Sequence, residues 1–556
     1  MLAVSKAGNN DYSYLLDTTA GKRWSRVGID RKAGFQAFLP GVHSEKSVCC
    51  GEFPNIKSLV NWGKVTGHSF VMVTPFGPTG YGESPFSARS SFALNPFLIS
   101  PWNIKGIDIN KFERKIRELQ DKYPTGTGKI NYGFISEKLQ LFREMYENFK
   151  SRNGEHSKFK KFLEEKKYWI KDFVLYEGIK ETEGYRSWKD WPNGLKNRTT
   201  HSLNSFERKF SDSLTFHAWL QWQGSMQLKA EKKYAEENNF MLMGNLPFLA
   251  AEDSADVWAL REKGYFKMKL AAGAPPDMYC KKGQRWGNPP LNWKVIEADG
   301  FEYFDQKLNE AANYFDLYVL DHVFGIARLW SIPVEEQMEN QGLNGFFDPK
   351  DPKGDEAIWD KQLRRLLTKM VNSNPNIQPV AENLGIGPRN CNAILKELGI
   401  LGFAVPRWMK DWGNDPSRFI SSSEYDKNTV AMTGIHDASF TPVWYETADT
   451  KEQEIYWKHV GMSGRASTSA TPKLMRNIVK DAANSSSIYT AMPLNDLLAI
   501  KDPSLFITPG SYINKPGTAG GNWAYGYPAQ FSLEKLNKDQ ELKAELVDIN
   551  HKAKRT

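Results

Sequence analysis

Short apolar runs that stop on a polar or charged residue, separated by helical stretches, constrain this chain more than any other feature. In Leu317-Tyr-Val-Leu-Asp-His-Val-Phe-Gly325, four bulky or β-branched residues lead into Asp321. Such runs suit strands covered on both faces of a parallel sheet, and a charge at the end of one is either paired or kept for its reactivity. Taken alone, Asp321 reads as a structural charge; repetition of the pattern changes that reading. His68–Thr74 and Phe240–Phe248 predict further buried strands, as does Gly402–Trp408. Ile377–Glu382 ends on Glu382, and Val430–Asp437 ends on His436 and Asp437. Helical stretches such as Lys361–Val371 and Asn392–Leu398 fall between them, and strands alternating with helices imply a parallel sheet with its reactive groups at the strands' carboxyl ends. Period-two alternation places Val319 with Asp321, Val380 with Glu382 and Ile435 with Asp437, each pair on one strand face.

The remaining segments are organised around that frame. Residues 1–30 are polar and mixed and predict a loosely packed extension; residues 31–556 form the main domain. Within it, Asn110 to Glu237 has helical periodicity, including Leu139, Phe142, Met145 and Phe149 behind Ser136 as N-cap, an amphipathic stretch from Lys158 to Tyr176, and a helix from about Ser213. This predicts an inserted helical subdomain over roughly residues 100–235. The Gly- and Pro-rich stretch Pro75–Phe86 predicts a rigid loop over a strand end; with no Gly-Lys-Ser/Thr behind it, it is no phosphate cradle.

Composition narrows the function classes. Net charge is +8 over 556 residues, and the densest basic stretch, Lys158–Lys171, interleaves Glu164 and Glu165, so a nucleic-acid partner is not expected. No run approaches the roughly 18 apolar residues of a membrane helix. The four cysteines lack metal-ligand spacing and the N-terminus lacks a signal-like apolar core, which predicts a reduced, cytoplasmic chain. Aromatics at 13% suit either sugar rings or a large aromatic core.

Two carboxylates meeting at one end of a parallel barrel are the equipment for breaking a glycosidic bond, one attacking the anomeric carbon and the other protonating the leaving oxygen. A third acid can stabilise the oxocarbenium-like state or hold sugar hydroxyls. The rival chemistry for three acids, a divalent-metal site, calls for more oxygen ligands and a phosphate substrate. No cofactor is expected.

Several blocks add a resemblance. Gly77-Pro-Thr-Gly-Tyr-Gly-Glu-Ser-Pro85, Asp253-Ser-Ala-Asp-Val-Trp258, Pro275-Pro-Asp277, Gly283-Gln-Arg-Trp-Gly-Asn-Pro289, Val380-Ala-Glu-Asn-Leu-Gly385 and Pro516-Gly-Thr-Ala-Gly-Gly-Asn-Trp523 resemble, in order, the signature blocks of the 4-α-glucanotransferases (amylomaltases, disproportionating enzymes) of glycoside hydrolase family 77. The resemblance implies an α/β fold, a single (β/α)8 TIM barrel with inserted subdomains, acting on α-1,4-glucans and maltooligosaccharides by a retaining mechanism. It implies Asp321 as nucleophile, Glu382 as general acid/base, Asp437 as transition-state stabiliser and His436 as a ligand of the donor sugar. A lid loop over about residues 271–293 supplies Gln284, Trp286 and Asn288 as glucan contacts, and Phe86 and Asn245 face the donor sugar.

The departures from the family cluster at the chemistry. Val319 stands where the family carries Arg two residues before the nucleophile, Phe324 and Tyr512 replace two further Arg residues, Phe86 replaces Tyr, and Asn245 replaces Asp. An Arg beside Asp321 holds it ionised and aimed, so its loss makes the carboxylate easier to protonate. Two readings stay open on the sequence alone: an active glucanotransferase of altered rate, or an impaired homologue that binds α-glucan or a protein partner without turnover.

Overall fold

A computed structural model describes residues 12–79, 84–152, 155–278, 280–508, 510–518 and 520–555. Eight parallel strands follow one another around a barrel: β1 (Lys32–Ala37), β2 (Phe70–Val73), β3 (Met241–Leu246), β4 (Leu317–Leu320), β5 (Gln378–Ala381), β6 (Gly402–Ala404), β7 (Thr429–Ala431) and β8 (Tyr489–Pro493). Each pairs with the next and β8 returns to β1. Closure between β5 and β6 is narrow, a bridge of Val380 to Leu401 with the Ala381 N–H donating to the Leu401 carbonyl at 2.7 Å. Every residue of β2, β4, β5 and β8 is buried, which is why these strands read as continuous apolar runs rather than alternating ones.

β1 and β8 escape the sequence pattern. β1 starts on a lysine and contains Gly34, where an added Cβ would meet the Phe70 ring at 2.3 Å; close packing against β2 demands the glycine that weakens the strand signal. β8 includes Thr490 and ends on Pro493. β7 is shorter than the expected 430–437 strand. After Met432 the chain turns inward, and the Gly434 carbonyl accepts from Gln36 Nε2 at 2.9 Å. Asp437 therefore lies in the loop before the helix Thr441–Thr447, and the pairing of Ile435 with Asp437 on a strand face does not hold.

The predicted loose packing of the N-terminal segment does not hold for its described part; residues 1–11 lie outside the described residues. Leu15, Ala20 and Trp24 are buried. Trp24 Nε1 donates to the Gly399 carbonyl at 2.8 Å and Arg23 Nη2 to the Asn374 carbonyl at 2.7 Å, anchoring the segment to the turns that precede β6 and β5.

Between β2 and β3 the chain forms a set of helices, the longest Ser211–Glu237. Ser136 falls inside the helix Ile135–Lys150 rather than capping it. The expected amphipathic stretch from Lys158 divides into His156–Glu165 and Lys167–Thr182, with the break at Lys166, whose Nζ pairs with Glu310 at 2.6 Å in the interior. From the longest helix, three glutamines hold the irregular segment 94–105. Gln221 Oε1 accepts from the Leu94 N–H at 2.7 Å while its Nε2 donates to the Leu94 carbonyl at 2.9 Å. Gln227 does the same for Ser100, and Gln223 for Lys105. Each glutamine thus satisfies both backbone groups of one loop residue, which burial would otherwise leave unpaired. Bidentate Arg89–Glu177, at 2.8 and 3.1 Å, ties the chain just after Phe86 to the same helical layer.

The expected lid segment is partly strand. Leu270–Ala274 and Gln284–Arg285 join Leu329–Pro333 and Phe346–Asp348 in a separate antiparallel sheet, and the segment ends as Trp293 opens a helix. Among the described residues no helix is long and apolar enough to cross a membrane.

Deep in the helical layer, Lys138 Nζ donates to Glu52 Oε1 at 2.5 Å and to the Phe97 carbonyl at 2.8 Å, with both side chains nearly inaccessible to solvent. Removing one member leaves a buried charge without its partner. We predict that Lys138→Ala loses about 3–5 kcal/mol of stability, while Lys138→Met with Glu52→Gln loses less; urea unfolding of both variants checks the difference.

Candidate active site

The register of β4 against β5, from Leu317 with Gln378 to Leu320 with Ala381, delivers Asp321 and Glu382 to the barrel mouth side by side. The backbone continues the pairing beyond the strands: the Glu382 N–H donates to the Leu320 carbonyl at 2.9 Å, and the Val323 N–H to the Glu382 carbonyl at 3.0 Å. Immediately after Asp321 the chain bends sharply, with His322 in the left-handed region at φ 44°. Gly325 completes that bend, since a Cβ there would meet the Phe248 ring at 2.6 Å.

The two carboxyl groups are near enough that each shifts the titration of the other. Burial pushes Asp321 up to about 6; the hydrogen bond from Glu382 and the nearby His436 oppose the rise, and the Asp437 charge adds to it. Burial, then the charges of Asp321 and Asp437, hold Glu382 well above the usual carboxylate range. Among the described residues Glu382 Oε2 is buried without a hydrogen-bond partner, a setting that favours the neutral acid. One acid kept protonated beside one closer to ionisation is the division of labour that acid-assisted displacement requires.

Asp437 and His436 arrive from the β7 loop. Asn514 Nδ2 donates to Asp437 Oδ1 at 2.7 Å and the Asn514 N–H to the His436 carbonyl at 3.0 Å. His436 Nε2 lies 3.3 Å from the same Asp437 oxygen. The imidazole stacks on Phe86, with centroids 4.8 Å apart and planes at 12°, and tilts against Trp523 at 5.6 Å. Asn514 and Trp523 fall within or beside the Pro516–Trp523 block, but spacing alone gives no sign that they brace the third acid. Part of the Gly77–Pro85 block, residues 80–83, lies outside the described residues.

Asn245 is 2% exposed, and neither its Oδ1 nor its Nδ2 finds a hydrogen-bond partner among the described residues. It faces a cavity of about 30 Å³ that His436 also lines. Its register partner on β4 is Val319. The two departures at these positions are therefore one local change: where the family places an acid and a guanidinium on neighbouring rungs, this chain has an amide beside an isopropyl group. Phe324 is buried against Gly387, where a Cβ would meet its ring at 2.2 Å, filling the space under the loop after Glu382. Tyr512 packs beside Gly521.

Of the three expected lid contacts, Trp286 meets the site, its ring edge-on to His322 at 5.1 Å. Gln284 Oε1 accepts from Trp286 Nε1 at 3.0 Å, so Gln284 orients that ring. Asn288 is buried, its carbonyl taken by the Ala272 N–H at 2.7 Å.

An eight-stranded parallel barrel with acids gathered at the carboxyl ends of its strands is the frame of a (β/α)8 enzyme of glycosidic bonds. Comparison with known proteins narrows the class. The family model described as 4-alpha-glucanotransferase matches residues 39–531. The 4-alpha-glucanotransferase of Chlamydia pneumoniae is 30% identical over 95% of this chain and 97% of its own length. That of Thermus thermophilus is 30% identical over 85% of this chain and 90% of its own. The chain belongs to the 4-alpha-glucanotransferase family. Among solved structures, an amylomaltase from Streptococcus agalactiae in complex with acarbose shares the fold, with a TM-score of 0.78 at 22% identity over 94% of this chain and 99% of that one.

Two outcomes follow from the charges. A reaction that requires ionised Asp321 predicts that kcat/KM falls as pH drops through about 6, where an ordinary aspartate stays ionised to about pH 4. Asp437→Asn, which removes a charge that raises Asp321, moves this acid limb to lower pH even as turnover falls. Second, Asn245→Asp with Val319→Arg, restoring acid and base on adjacent rungs, is expected to raise turnover about tenfold, the scale of one charged hydrogen bond. Val319→Arg alone gains less, because its guanidinium is buried beside an uncharged amide; steady-state kinetics of the two variants decide it.

Proposed function

We propose that this enzyme transfers α-1,4-glucan segments between maltooligosaccharides by a retaining double displacement at the site just described. Asp321 attacks the anomeric carbon while Glu382 gives its proton to the departing glycosidic oxygen, leaving a glucosyl ester on Asp321. The 4-hydroxyl of an incoming glucan then attacks that carbon, returning a proton to Glu382 and freeing Asp321. Asp437, held by Asn514, bears on the positive charge that develops on the sugar, and His436 orients the donor ring. The observation that carries this reading is the placement of Asp321 and Glu382 directly past the paired ends of β4 and β5, with burial and the neighbouring acids holding Glu382 well above the usual carboxylate range. Acids on paired neighbouring strand ends suit the short separation of a retaining enzyme, roughly 5–5.5 Å, better than the roughly 6.5–9.5 Å across which an inverting enzyme places its water. Transfer in place of hydrolysis calls for an acceptor that occupies the mouth before water does; Trp286, over His322, supplies an aromatic surface there.

The second reading, a homologue that binds α-glucan without turnover, draws on the neutral Asn245–Val319 pair. Incubation with maltotriose separates the two. The transfer reading expects glucose together with longer oligomers, and loss of at least about a thousandfold in Asp321→Asn, as for removal of a nucleophile. Tight maltooligosaccharide binding with no new product sizes would establish the second reading instead.

A further inference from the structure

Asp437 and His436 lie on a loop rather than on a strand, so something other than the sheet must set their position. The loop runs from Met432 to the helix that opens at Thr441. Asp496, fully buried in the short helix directly after β8, reaches both ends of it. Its Oδ2 accepts from Thr433 Oγ1 at 2.5 Å and from Thr441 Oγ1 at 2.6 Å, and its Oδ1 accepts from the Thr441 N–H at 3.2 Å. Arg407, from the segment after β6, closes the same base: Nη1 donates to the Ser439 carbonyl at 2.8 Å, and Nη2 to Thr441 Oγ1 at 3.2 Å. From the opposite side Gln36 of β1 holds the Gly434 carbonyl.

We propose that Asp496 is a positioning residue for the reaction: one carboxylate oxygen staples Thr433 to Thr441 and so fixes where Asp437 and His436 stand over the nucleophile. None of the three stapling residues need touch the sugar. The assignment rests on the proposed role of Asp437. Its logic is geometric, since two hydroxyls meeting on one oxygen fix the separation of the loop ends, and a catalytic group displaced by about 1 Å costs on the order of a hundredfold in rate. Asn at position 496 replaces one accepting oxygen with an NH2 that faces donors in either orientation, the two hydroxyls on one side or the Thr441 N–H and Asn495 Nδ2 on the other.

The test compares Asp496→Asn, Thr441→Val and Thr441→Ser with the wild-type enzyme and Asp437→Asn, measuring maltotriose disproportionation, melting temperature and hydrogen exchange of residues 433–441. The staple predicts that Asp496→Asn and Thr441→Val lose about tenfold to a hundredfold in kcat with KM nearly unchanged. Their acid limb should move toward that of Asp437→Asn, and the loop amides should exchange faster; Thr441→Ser should retain turnover. Thr441→Val keeps the test decisive if Asp496→Asn fails to fold. Wild-type kcat and unaltered loop exchange in Thr441→Val would overturn the proposal, as would losses of rate that Thr441→Ser shares. If Asp437→Asn matches the wild type because neither forms product, the fault lies with the transferase reading. Loop exchange then decides the staple by itself: faster exchange in Thr441→Val supports it, and unchanged exchange overturns it.

Discussion

Three carboxylates share the mouth of a closed barrel, where burial pushes Asp321 and Glu382 up and the charge of Asp437 adds to both shifts. That crowding is the constraint on which the arrangement depends. Left free, the groups would rotate apart or take up protons together. The structure instead divides them, with Glu382 pushed furthest toward its neutral form and Asp437 turned to Asn514 and His436. With Val319 rather than a guanidinium two residues before Asp321, His436 and Glu382 are the groups that draw Asp321 back toward ionisation.

The acids are held by two different means. Asp321 and Glu382 inherit their positions from strand register, because β4 and β5 pair along their lengths and the backbone bonds continue one step past the sheet. Asp437 has no such support. Its position is assembled from side chains, with hydroxyls tied to a buried carboxylate at the loop's base, an asparagine on its own carboxylate, and an aromatic bracket around the neighbouring imidazole. Two groups that act together thus have different mechanical origins. One is as rigid as the sheet; the other is as rigid as a handful of polar contacts.

What was legible in the sequence follows the same division. β4 and β5 announced themselves as apolar runs ending on an acid because burial on both faces permits nothing else, and the acids they deliver lie where the runs end. β1 was hidden by the glycine that lets it approach Phe70, and β8 by its threonine and terminal proline. Asp437 was found as the end of the run from Val430 but misplaced onto a strand, because Ile435 and Asp437 alternate as strand residues do while the chain has already left the strand by Gly434. The bracing by Asp496, Asn514 and Trp523 left no local trace, since the partners lie far apart in the chain. Buried ion pairs such as Lys166–Glu310 were invisible for the same reason, and Lys166 stands at the break in what reads as one amphipathic stretch.

The three glutamines of the long helix carry a further consequence. Each recognises only the N–H and C=O of its loop residue, which every amino acid but proline supplies. Leu94, Ser100 and Lys105 are therefore replaceable as far as these contacts are concerned. The glutamines are not: glutamate cannot donate, and asparagine is one methylene too short. The burden of specifying the loop's path has moved from the loop onto the helix that faces it, and tolerance to substitution should be high on one side of this contact and low on the other.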